Sequence, residues 1–177
     1  MSEYPLFMPP NELAEKGAQN WNKKEAQAYF DWFLSVRYER VKFLLQYINN
    51  YTNFENNLKL ITEVNRKVFY LIQNEHFHTI REFDGGMKLN NQGLAVVVDF
   101  GLLVAQFLEE KNPSLFWKIA KGPKSYHSYN LPVLDGFSNG EYDLVFISIN
   151  KFGYALNHQK SPYDWNKFIK ELQTRIL

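Results

Sequence analysis

Residues 93–108, GLAVVVDFGLLVAQFL, are apolar or glycine at every position except Asp99 and Gln106. Nothing else in the chain restricts its fold as strongly. Apolar surface on this scale has to be covered, because water opposes its exposure. The two polar residues interrupt the run before it reaches the roughly 20 clean residues a bilayer span needs. The segment is therefore expected to be a core helix, from about Asn91 to Lys111, stopped by Asn112-Pro113. An unpaired carboxylate inside such a helix is costly, so Asp99 must accept hydrogen bonds from a cation or from backbone amides. Arg37 and Arg40 on the preceding long helix are the candidate partners, and Gln106 lies on the same helical face as Asp99. Gly101, Ala105 and Leu108 form a lane that is small at its first two positions, where another element can approach closely. A catalytic acid is the competing reading of Asp99, but no sequence rule places a second carboxylate or a nucleophile beside it.

Helical spacing accounts for most of the remaining chain. In 22–50, Asn22 and Glu25 form a capping-box pattern. Phe30, Leu34, Tyr38, Val41, Leu45 and Ile48 then make an apolar stripe about five turns long, with Arg37, Glu39, Arg40 and Lys42 mostly off it. Leu58, Ile61, Val64, Val68, Leu71 and Ile72 repeat the spacing. A turn over 49–53 separates the two runs, which predicts a helical hairpin. Ahead of them, residues 8–21 read as a short helix or turn closed by Gly17, and FDGGMKLNNQG is a break. Residues 114–122 and 131–137 read as two short strands around a turn-rich loop. Residues 142–157 fit a strand by composition and a helix by spacing, and the length favours a helix. A last helix is expected to be capped near Ser161, with Pro162 in its first turn. With 177 residues, the expectation is one domain, 1–177, of α+β class. It is helix-dominated, with a long helical hairpin and a buried third helix packed on a short antiparallel sheet.

Composition excludes several kinds of chemistry. The chain has no cysteine, which removes disulfides, thiolate metal sites and cysteine nucleophiles. Its net charge is +1, so no large field draws nucleic acid or an anionic membrane toward it. The first residues show neither a basic start nor an apolar block of signal-peptide type, which predicts a cytoplasmic protein without a lipid anchor. His76 and His78 would share a face on a strand, but His127 and His158 belong to unrelated loops, so no metal is expected. No cofactor is expected either. No Gly-rich phosphate loop or HExxH pattern is present, and no SxxK sits at a helix start.

Aromatic residues make up 17% of the chain, with 15 Phe and 11 Tyr. The helical stripes absorb many of these rings. Those in the loop KSYHSYN have no stripe to enter. Tyr126, His127, Tyr129 and Asn130, with Trp117 beneath or beside them, are therefore the expected partner-binding surface. Exposed rings give large contact area at little entropic cost. Lys121 and Lys124 beside the rings suit a single-stranded nucleic acid on paper, but the missing basic field favours a protein partner.

Three segments also resemble, in order, a loose group of small uncharacterised proteins of Gram-positive bacteria. Trp21, Tyr29, Phe30, Trp32 and Phe33 stand in the first; Asp99, Gly101, Ala105, Gln106 and Trp117 in the second; Asn130, Pro132, Val133, Leu134, Gly136 and Phe137 in the third. Ala105 and Gln106 depart from the Gly and Glu of that pattern. The group is similar to immunity-type proteins encoded near polymorphic toxins. The resemblance implies a cytoplasmic protein-binding module that neutralises a toxin domain and is not an enzyme. The alternative is a small-molecule-binding protein or hydrolase with a pocket beside the Asp99 helix.

Overall fold

Asn22 caps the first long helix as its sequence requires. Its Oδ1 accepts from the amides of Lys24 and Glu25, and the Glu25 carboxylate accepts from the Asn22 amide in return. The box satisfies amides that the helix leaves without partners. A computed structural model of the chain describes residues 3–49, 56–158 and 161–177. Its elements are α1 (Asn11–Ala14), α2 (Lys23–Asn49), α3 (Leu58–Leu71), β1 (His78–Ile80), β2 (Met87–Leu89), α4 (Asn91–Lys111), β3 (Phe116–Ile119), β4 (Pro132–Asp135), α5 (Leu144–His158) and α6 (Trp165–Gln173). A 3-10 turn at Ala18–Asn20 follows Gly17, whose φ is +69°. The architecture is α+β and helix-dominated, with two antiparallel sheets of two strands each. The turn expected at 49–53 lies, apart from the backbone of Asn49, outside the described residues.

α4 occupies the middle of the core. It packs against α5 and α2 first, and then α3, α6 and β2. By length and composition it is the one helix among the described residues that could cross a membrane, and 78% of its most apolar stretch is buried inside the protein. Gly101 makes its contact with α5 possible. A Cβ there would lie 2.8 Å from the Leu144 carbonyl oxygen and 3.0 Å from Val145 Cα. Asn90 caps the helix by accepting from Gln92 and Gly93. Beyond it, Phe100 meets Phe152 and Trp165 edge to face, with centroids 5.2 and 5.1 Å apart. α6 joins the core through Trp165, Ile169 and Leu172.

Several details differ from the sequence reading. α2 does not bury Phe30, Leu34 and Tyr38. Its buried positions are Ala26, Phe33, Val41, Leu44 and Leu45, and Tyr38 is exposed. Arg37 and Arg40 share this inward face because they pair with acids on α4, so the stripe is rotated toward the arginines. The segment read as a break contains β2, which pairs with β1 just before it, Thr79 opposite Lys88. Of Gly85 and Gly86, Gly85 alone has positive φ. α6 begins at Trp165, not near Ser161, because Asp164 accepts from the Lys167 amide and serves as its cap.

β3 and β4 pair with Trp117 opposite Leu134, and β3 packs on α2. After β4 the chain turns back, and Tyr142 exchanges two backbone hydrogen bonds with Leu134 (2.9 and 2.8 Å). This brings Glu141, Tyr142 and Asp143 to one end of the sheet, at the start of α5.

Candidate functional site

The loop between β3 and β4 is built from successive tight turns. Tyr126, Tyr129 and Leu131 donate their amides to the carbonyls of Pro123, Tyr126 and Ser128. Asn130 takes φ +64°, a conformation that asparagine tolerates better than most residues. One clamp fixes the loop to α5. Ser128 is fully buried, and its hydroxyl donates to Asp143 Oδ2 at 2.6 Å. Asp143 Oδ1 accepts from the Phe146 amide at 2.8 Å and so caps α5. Burial pushes the Asp143 carboxyl above its ordinary range; the hydrogen bonds from the Ser128 hydroxyl and the Phe146 amide act the other way. The Ser128 hydroxyl is spent on a carboxylate and has no exposure. The pair is a fastening, not a nucleophile with its base.

The clamp seats a set of rings at the surface. His127 stacks on Phe146 with centroids 4.0 Å apart and planes 25° from parallel. Tyr126 meets His127 edge to face at 4.7 Å. These rings and Tyr142 wall an open groove of about 370 Å³, with Glu141, Asp143, Asn150 and Lys151 completing it. The Lys118 ammonium lies 2.5 Å from Asp135 and 2.8 Å from Glu141. Hydrogen bonds to these two acids raise its pKa, and the same lysine holds Asp135 low. Burial raises the Tyr126 hydroxyl pKa, against the hydrogen bond with Ser128.

The expected surface residues divide. Tyr126 and His127 line the groove, and Tyr129 is half-buried in the same loop. Asn130 turns away and donates to the carbonyls of Ala18 and Trp21, tying the loop to the segment before α2. Trp117 faces α2, edge to face with Phe33 at 4.9 Å and with the Arg37 guanidinium 5.7 Å from its ring centre. Sequence reasoning missed Phe146, Tyr142 and Asp143. Asp143 ahead of a helical run was a legible cap signal.

Asp99 has no exposure and accepts from two side chains. Tyr4 Oη donates at 2.6 Å, and Arg40 is bidentate, with Nη2 2.7 Å and Nε 2.9 Å from the two carboxylate oxygens. Arg40 also donates to the carbonyls of Pro5 and Leu6. Burial pushes the Asp99 pKa up to about 7, against the opposing pull of Arg40 and Tyr4. Arg37 pairs with Glu109 instead. Gln106 donates to Glu110 at 2.7 Å and takes no part at Asp99. Tyr4 gave no signal in the sequence. The groove beside α4, about 260 Å³ and lined by Leu6, Phe7, Met8, Leu94, Val98 and Ile149 among others, carries no ionisable side chain.

His78 bonds to the Ile72 carbonyl, and His158 lies against Tyr154. Among the described residues, no three of His, Asp or Glu are grouped to hold a metal. Compared with protein-family models, curated proteins and solved structures, the chain gives no match.

Proposed function

We propose that this chain is a protein-binding module of the immunity type, which binds a toxin domain in the cytoplasm and blocks it. The observation that carries the reading is the ring-walled groove at Tyr126, His127 and Phe146. Its rings are held in place by the Ser128–Asp143 clamp, so partner binding would cost little ordering. Aromatic anchors of this kind supply most of the energy at protein interfaces. The near-neutral net charge of +1 weighs against nucleic acid. Of the alternative, a small-molecule-binding protein or hydrolase beside α4, the hydrolase finds no acid, base or nucleophile in the groove there.

Affinity capture from the native host tests the reading, with the wild type beside a Tyr126→Ala, Phe146→Ala double variant. The wild type is expected to retain a specific protein in stoichiometric amount. The variant is expected to lose it while its melting temperature stays within about 3 °C, the scale of a 1 kcal/mol change in a chain of this length. Equal capture by both chains, or no specific protein with the wild type, overturns the reading.

A further inference from the structure

We propose that the Tyr126–His127–Phe146 groove receives an arginine side chain presented by the docking polypeptide. The inference rests on the protein-binding reading above and adds the chemistry of the contact.

Three features of the groove select a planar cation. The first is ring geometry. The His127–Phe146 stack sits at the surface with Tyr126 against its edge. A guanidinium stacks on such faces, and it sheds water more readily than an ammonium. The second is charge. Asp135 and Glu141 share one lysine, Lys118, so that trio keeps a net negative charge. Asp143 adds a second carboxylate behind the rings, and its oxygens are already engaged by Ser128 and Phe146. It acts through its field, and Glu141, whose Oε2 is paired with Lys118, is the carboxylate at the wall within reach of direct contact.

The third feature is the position of the competing cations: Arg175 is already engaged, donating to the Tyr142 hydroxyl at 2.7 Å. Lys151 belongs to the groove, but its ammonium lies 4.4 Å from the centre of the Tyr163 ring, where that ring already attracts it. An anionic ligand would meet the carboxylates. A neutral apolar one would leave their field without a partner. A cation with a flat face satisfies both the rings and the acids.

The test is a titration of the full chain with N-acetylarginine methylamide, followed by backbone amide resonances in nuclear magnetic resonance. The isosteric, uncharged citrulline analogue is the control. Arginine is expected to shift the Tyr126, His127 and Phe146 signals saturably, with a Kd on the order of millimolar for so small a probe. The citrulline analogue is expected to bind about tenfold more weakly or less. Glu141→Gln is expected to reduce arginine binding by a similar factor, with the melting temperature within about 5 °C of wild type. Equal shifts with arginine and citrulline, or no saturable shift with arginine, overturn the proposal. If that happens while the double variant still loses its captured protein, the docking surface stands and the arginine falls. If capture is also absent, the protein-binding reading falls with it.

Discussion

Asp99 shows how one residue can organise a chain from inside its most apolar helix. Both of its oxygens are committed, to Arg40 and to Tyr4. Through Arg40 the same network holds the backbone at Pro5 and Leu6. Removing Arg40 would strand a buried carboxylate, a loss that ranges to about 3–5 kcal/mol where the charge has no escape. Here protonation offers one, because burial already holds Asp99 near pH 7. Arg40→Ala is therefore expected to cost about 1.5–3 kcal/mol in urea unfolding at neutral pH, the range for hydrogen bonds to a charged group. The same shift gives a pH dependence. The folded pKa is about 7 against an ordinary 3.8, so the folded state binds the proton more tightly. Its contribution is complete below about pH 4 and is lost as pH rises through about 7. The urea midpoint of the wild type, measured against Asp99→Asn, is expected to fall across that window and level off above it. A rising difference contradicts the assignment. An acid in an apolar helix announced its need for a partner, and Arg40 was legible at helical spacing. Tyr4 was not, because 95 residues separate it from Asp99 and nothing local marks a buried tyrosine among prolines.

Among the elements, α4 and α5 meet through Gly101, and that contact divides two glycine substitutions that look alike in sequence. Gly101→Ala places a methyl group 2.8 Å from the Leu144 carbonyl oxygen, so the helices must separate. The expected loss is about 1–3 kcal/mol, as for other overpacked interiors. Gly153 lies within α5 with open space where a Cβ would go. Gly153→Ala is expected to gain about 0.5–1 kcal/mol from reduced backbone freedom. Thermal unfolding of the two variants checks both signs, and equal effects would contradict the packing account. The limits of α4 were legible because apolar periodicity and Asn112-Pro113 agreed. The face of α2 was not. Its arginines carried the polar label, yet they turn inward to Asp99 and Glu109, a preference set by α4 rather than by α2. Three-residue strands such as β1 and β2 are too short to show alternation, which is why β2 fell inside a segment read as a break.

At the scale of the molecule, rings fill the core and also mark its surface. Phe100, Phe152 and Trp165 are packed inside, whereas Tyr126, His127 and Phe146 are left at an open groove. Half of that groove was legible. The loop rings had no stripe to enter, so their place at the surface followed. Phe146 was hidden because 142–157 fitted both helix and strand, and only the helix brings it under His127. Trp117 and Asn130 read as part of the surface, but the packing of β3 on α2 and the carbonyls of Ala18 and Trp21 claim them. The central claim is that partners dock at this groove and leave the fold unchanged. Hydrogen exchange of the chain, alone and with its captured protein, tests it most directly. Binding is predicted to slow exchange across 123–131 and 141–147 and to leave the interior of α4 as it was. Protection confined to another face, such as the exposed Ile80 and Phe83 of the first hairpin, would contradict it.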